Sequence, residues 1–326
     1  MFTFAGKLHI NNFSCIMANV IKIKKGLDIN LKGKASDVLL NGGKSESYAI
    51  VPDYYNGILP KVVAKVGEKV KAGSVLMIDK NRPEIKFVSP VSGEVTAVNR
   101  GEKRKVLSIV VKPDAQIEYE EFGKKNVASL QGAEVKEVLL NAGMWPFIKQ
   151  RPYDIVAAPL DTPRDIFVSA FYSAPLAPNF DFIVKGQEAD FQTGLNALAK
   201  LTNGKVYVGV RSGSVVSGMK GVEIVEVEGP HPAANVGVQI NHIKPVNKGE
   251  VVWTVNPADV IVIGRLFNKG VADFSRMVAI TGSETTERGY VKTISGCTIK
   301  SLVNGKVLGQ EHIRTVSYTH LTLPTI

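Results

Sequence analysis

The sequence predicts an α/β chain in a multidomain, α+β arrangement, and three observations carry that reading. Between residues 48 and 112, short apolar runs alternate with polar positions and are punctuated by Gly67, Gly73, Gly93 and Gly101, the pattern of a small β domain. From residue 132 the period lengthens, and a helix face, a strand and a further helix and strand follow one another, as in an α/β layer. Past Phe274 short alternating strands return. A chain of 326 residues has room for two or three such domains.

Composition narrows the functional classes. Lys plus Arg outnumber Asp plus Glu by 40 to 30, a formal charge of +10 that favours an anionic partner such as a membrane face, nucleic acid or an acidic protein of the same assembly. Aromatic residues make up only 7%, and the lysines are spread along the chain, which argues against nucleic acid. The longest uncharged aromatic stretch, residues 166–180, carries Pro175 and Pro178 and falls short of the ~20 residues a bilayer span needs. Cys15 and Cys297 lie far apart and form no CxxC pair, so this chain's cysteines cannot build a structural zinc or iron-sulfur site, and a reducing compartment suits them.

The ends have a different character from the rest. Residues 1–16 read as an extension ahead of a start at Met17, because the regular pattern Val20-Ile21-Lys22-Ile23 begins only after it and no signal-peptide core precedes it. Residues 316–326 change composition abruptly and read as a non-native tail of the kind that translated adapter sequence produces. The domain reading is then an N-terminal segment (17–47), a β domain (48–114), a polar linker (115–131), an α/β domain (132–272) and an incomplete β domain (273–315).

In the first β domain, Val66-Gly67-Glu68-Lys69-Val70 and Val88-Ser89-Pro90-Val91-Ser92-Gly93 stand about twenty residues apart, like two similar halves of a sandwiched barrel. The pattern resembles the biotinyl/lipoyl carrier fold, whose modified lysine sits at a hairpin tip. Lys80 occupies that place, but Asn81-Arg82-Pro83 make a stiff turn without the acidic or methionine flanks of an attachment site, so the domain reads as a scaffold. Next, Val135, Val138 and Leu139 give a helix face over 134–141, stopped by Gly143. A strand is expected over 153–158, a helix over 187–201 and a buried strand over 206–210.

Arg211-Ser212-Gly213-Ser214 follows that strand, a weak signal for a phosphate- or nucleotide-like turn that matches neither GxGxxG nor a P-loop, so an ordinary left-handed turn is the favoured reading. After a strand over 221–227 comes Gly229-Pro230-His231-Pro232-Ala233, in which two prolines hold His231 in place. His242 lies eleven residues on, and without a third nearby ligand the pair points to hydrogen bonding or proton handling rather than metal. Asn256 caps a helix with Pro257 in its first turn and Gly270 past its end. Strands over 276–282 and 290–296 then form a hairpin, followed by a helix starting over 297–303, and the sheet lacks strands to close it.

Three stretches together, Ile21-Lys22-Ile23-Lys24-Lys25-Gly26-Leu27-Asp28, Gly229-Pro230-His231-Pro232-Ala233, and Val252-Trp253-Thr254-Val255-Asn256 leading to Gly264-Arg265-Leu266-Phe267, closely resemble the A-subunit family of the bacterial sodium-translocating NADH:quinone reductase. The likeness runs over residues 17–314. It implies a barrel-sandwich hybrid domain, a Rossmann-like α/β domain and a soluble-ligand-binding β-grasp (SLBB) domain, an order similar to the flavoprotein subunit of respiratory complex I. It also implies a peripheral subunit on the cytoplasmic face of the inner membrane, without a transmembrane segment, in a complex that passes electrons from NADH to ubiquinone or menaquinone and exports sodium.

Neither the glycine-rich FMN loop nor the cluster cysteines of that flavoprotein match here, so the resemblance implies no cofactor on this chain, no catalytic residue and no metal. FAD, FMN, riboflavin and iron-sulfur are then expected in partner subunits, with the quinone as substrate of the complex. Pro230, His231, Pro232 and His242 are the candidates for a quinone-binding or interface site, and Arg211, Ser212 and Gly213 for the weaker phosphate-like turn. The competing readings are a stand-alone flavin or dinucleotide oxidoreductase and a carrier protein modified on Lys80.

Overall fold

A computed structural model describes residues 19–308 and 314–316. The expected extension 1–16, Cys15, the start at Met17 and all of the expected tail except Val316 lie outside the described residues. The N-terminal segment supplies strands β1 (Asn19–Lys22) and β2 (Leu39–Leu40). The first domain follows with β3 (Tyr48–Ile50), β4 (Pro60–Val62), β5 (Lys69–Val70), β6 (Val75–Asp79), β7 (Lys86–Val88), β8 (Gly93–Arg100) and β9 (Val106–Pro113). Its two antiparallel sheets, β3-β9-β8-β5 and β4-β6-β7, sandwich Leu76, Met77, Ile85, Val91, Val95 and Ile109, all fully buried.

The hairpin tip between β6 and β7 leaves Lys80 exposed, but the tip itself is clamped. Arg82 Nε bonds the buried Asp79 carboxylate at 2.8 Å, while its Nη1 and Nη2 reach Val156 O at 3.1 Å and Gly57 O at 2.9 Å. A swinging-arm lysine needs a free tip, whereas this one is bolted to the next domain.

That domain comprises α1 (Gly132–Asn141), β10 (Ile148–Arg151), β11 (Ile155–Val156), β12 (Ile166–Ser169), α2 (Phe180–Val184), α3 (Glu188–Ala199), β13 (Val206–Val210), β14 (Glu223–Glu228), α4 (Val236–Ile243), β15 (Val252–Val255) and α5 (Pro257–Lys269). They build a seven-stranded sheet ordered β1-β14-β13-β12-β15-β10-β11. The strands from β1 to β15 run parallel, and β10 and β11 close one edge antiparallel. Taken in chain order, the four central strands lie third, second, first, fourth, which is the Rossmann half-sheet with its reversal between β12 and β15.

Local chemistry sets the helix bounds. Glu134 completes a capping box at the start of α1 by accepting from Gln131 N at 2.7 Å. Asn256 caps α5 by accepting from Ala258 N at 3.0 Å, and Gly270, at φ 77°, ends it. Helices α3 and α5 pack backbone to backbone because Gly264 lies against Asp190 O, where any Cβ would collide. Within the run expected as a strand over 153–158, only Ile155 and Val156 pair. Pro152 and the left-handed Asp154 (φ 53°) turn the chain back from β10, consuming the rest.

The third unit holds β16 (Ser275–Ile280), β17 (Gly289–Ile294) and α6 (Ile299–Val303). The hairpin gains a third strand from an unexpected source, since β2 pairs parallel with β17. The N-terminal segment therefore contributes to two sheets, β1 at the edge of the large one and β2 here.

Candidate functional site

In an open parallel sheet, ligands meet the carboxyl ends of strands beside the reversal of strand order. A cleft of about 400 Å³ lies at the ends of β12 and β13. One wall is the loop after β12, including Phe171, Ser173, Pro175 and Asn179, and the facing wall is the N-terminal segment through Asp28, Ile29, Leu31 and Lys34. A dinucleotide fold would place its glycine-rich turn where this loop runs, and residues 170–179 contain two prolines and no glycine.

The His231 loop is stitched to both walls. Its Nδ1 lies 3.1 Å from Ser173 Oγ, and that oxygen accepts from Ala234 N at 3.0 Å. On the other side His231 N donates to Asp28 Oδ1 at 2.8 Å and its carbonyl accepts from Leu27 N at 2.9 Å. Pro230 and Pro232 flank these contacts, and the His231–Pro232 bond is cis. His231 is not itself a lining residue and reaches the cleft through Ser173 and Asp28.

Arg211 joins the same place. It lines the cleft, lies over the Phe171 ring at 4.6 Å, and donates to Gly229 O at 2.7 Å and Val227 O at 3.3 Å. Its charge is thus directed at the carbonyls that carry the His231 loop. Ser212 and Gly213 are exposed, and Gly213 at φ 76° makes an ordinary left-handed turn. Beside that turn Ser214 Oγ donates to Asp181 Oδ1 at 2.5 Å, and a carboxylate so placed opposes an anion.

His242 is not brought to this cluster. It sits on the exposed side of α4, with Nδ1 2.8 Å from Val238 O one turn earlier. Two residues absent from the sequence reading matter more. Gln239, 2% exposed on the same helix, donates to Ser169 Oγ at 2.9 Å and to Ala233 O at 3.1 Å, so it ties the His231 loop to the end of β12. Its amide fits only because Gly209 of β13 has no side chain there. Tyr172 hydrogen-bonds Asn256 Oδ1 at 3.3 Å; burial, and then the Asp259 carboxylate, push its phenol up to about 12, so it stays a proton donor. The signal for Ser173 and Tyr172 was their place in the uncharged, proline-bearing stretch; Gln239 gave none.

Among the described residues no group of three His, Cys, Asp or Glu side chains is arranged to hold a metal ion, and no helix is long and apolar enough to cross a membrane. Family models match in three successive stretches: an NqrA N-terminal barrel-sandwich hybrid domain over residues 21–114, an NqrA second alpha/beta domain over 130–272, and an NQRA C-terminal domain over 277–317. The chain is similar to proteins known as the A-subunit of Na(+)-translocating NADH-quinone reductase. That of Hahella chejuensis is 37% identical over 303 residues, 91% of this chain and 67% of the relative. Those of Neisseria meningitidis and Photorhabdus laumondii are each 35% identical, over 90% and 88% of this chain and 66% and 65% of theirs. The chain spans about two thirds of the length of these curated relatives.

Proposed function

The chain belongs to the NqrA family, and on that premise we propose that it is a peripheral subunit of a sodium-pumping NADH:quinone reductase, seated at the cytoplasmic face of the inner membrane. In this reading it docks on the membrane subunits, while FAD, FMN, riboflavin and iron-sulfur centres in its partners carry the electrons from NADH to ubiquinone or menaquinone. The relatives' shared name, which places each of them in such a reductase, supports the assignment.

The observation that supports a part for this chain in quinone handling is the His231 loop, held between Ser173 and Asp28, two residues that line the cleft. A Ser173 hydroxyl that accepts from Ala234 N and donates a hydrogen bond to Nδ1 would select the tautomer with its proton on Nε2, a donor for a quinone carbonyl. Pro230 and Pro232 keep that ring in one orientation, and His242, exposed on α4, serves in this reading only as a docking residue.

Co-expression with the membrane subunits and purification in mild detergent tests the assembly: the chain is expected to elute with them, and elution alone overturns the proposal. Within the complex, His231→Ala is expected to lower quinone-dependent turnover while leaving the subunits together. Unchanged turnover returns His231 to a packing role.

A further inference from the structure

Between its two strands the N-terminal segment crosses the molecular surface as a strap, fixed at both ends. Ile23 N donates to Glu228 O and Leu27 N to His231 O, each at 2.9 Å, and Gly33 O accepts from Gly282 N at 2.9 Å at the far end. Between these anchors large apolar side chains are open to solvent: Leu27 is 70% exposed, and Ile29 and Leu31, which also stand on the rim of the cleft, are 55% and 52% exposed. Lys24 and Lys25 precede them and Lys32 and Lys34 follow, all exposed. Among the described residues none of the four lysines joins an ion pair, and the one acid of the strap, Asp28, accepts from His231 N.

We propose that this strap, residues 24–34, is a lipid-contact element that seats directly on an anionic bilayer surface. Three aliphatic side chains in alternate positions, bracketed by lysines, suit the boundary between headgroups and acyl chains, where lysine stems run along apolar surface and ammonium groups meet phosphate. A protein partner is disfavoured by the choice of cation: every basic residue between 19 and 44 is lysine, which protein interfaces avoid, and none is arginine, which they select. The anchors hold the strap in shape beforehand, so little ordering opposes binding. The proposal does not depend on the assembly or on a quinone role for His231.

Co-sedimentation of the whole chain with phosphatidylcholine vesicles, with and without phosphatidylglycerol, tests it. Binding is expected only to the anionic vesicles and to weaken with salt. Replacing Lys24, Lys25, Lys32 and Lys34 by Gln is expected to weaken it about fivefold per lysine. The triple change Leu27→Ser, Ile29→Ser, Leu31→Ser is expected to weaken it by about tenfold per side chain. Ile29→Trp should give a blue shift on vesicle addition, readable because Trp145 and Trp253 are already 0% and 1% exposed.

Absence of vesicle binding, or binding unchanged in both multiple variants, overturns the proposal. So does a strap variant that keeps its vesicle affinity and loses co-purification with the membrane subunits, which would assign the strap to a protein partner.

Discussion

Arg82→Ala should do far more than remove a surface charge. The guanidinium is 21% exposed, the Asp79 side chain it meets is fully buried, and its two remaining bonds cross to carbonyls at Gly57 and Val156, the latter on β11 of the α/β domain. Truncation strips Asp79 Oδ2 of its partner, while Oδ1 keeps the amides of Leu59 and Asn81, each at 3.1 Å. Breaking a buried pair costs about 3 to 5 kcal/mol, and the surviving amide bonds place this case at the low end, about 3 kcal/mol. For a chain of 326 residues, at about 2.1 cal/mol/K of unfolding entropy per residue, that lowers the thermal midpoint by about 4 °C. Differential scanning calorimetry reads it, and Asp79→Asn combined with Arg82→Ala should be milder than Arg82→Ala alone, since no charge is then left stranded. A midpoint within about 1 °C of wild type for Arg82→Ala would refute the clamp.

Three further outcomes are expected. Burial alone would raise the Asp273 carboxyl, but bonds from Ser275 and Lys269 and the Arg265 charge outweigh it and hold it at about 2, against an ordinary 3.8. Because the folded value lies below the unfolded one, this contribution, about 2 kcal/mol, is present above pH ~4 and is lost as pH falls toward 2. Asp273→Asn should therefore flatten the acid limb of urea midpoints against pH, and an unaltered limb would count against it. Gln239→Leu should cost about 1 to 3 kcal/mol by leaving the buried Ala233 carbonyl without its partner and the Ser169 hydroxyl with only its long bond to Phe171 O, seen as a lower urea midpoint and faster proteolysis within residues 229–235. Asn256→Ala should cost about 1 to 2 kcal/mol in the same assay, through the lost cap on Ala258 N and the stranded Tyr172 phenol.

What could be read from the sequence was whatever rests on neighbours in the chain. The cap at Asn256, the stop at Gly270, the strand β13 and the hairpin of β16 and β17 are written in residues a few positions apart. Strand β12 was not seen as a strand because all four of its residues are buried, so no alternation marks it. Strand β10 is mostly polar and ends against a proline, which hides it for the opposite reason. The roles of β1 and β2 were out of reach, because their partners β14 and β17 lie more than two hundred residues on. The same holds for the site: the bond from His231 N to Asp28 spans 203 residues. His231 and His242 looked alike as letters, and only the direction of α4 separates a loop pinned to the walls of the cleft from a ring facing solvent.

The crevice of a Rossmann-type sheet is ordinarily made receptive by glycines that let backbone amides approach a pyrophosphate. Here the same crevice is bounded by a proline-bearing loop, an arginine turned onto backbone carbonyls, and a strap brought in from the N-terminal segment. Each adds a fixed connection between parts of the chain, and residues 170–179 contain no glycine to let backbone amides approach a pyrophosphate. Ser173, Asp28, Arg211 and Gln239 all terminate on one short loop, residues 229–234, so the strain of moving that loop would pass at once to β12, α4 and the strap. The loop is thereby coupled to the strap, whose Leu27, Ile29 and Leu31 stay exposed, so displacing either one would disturb the other.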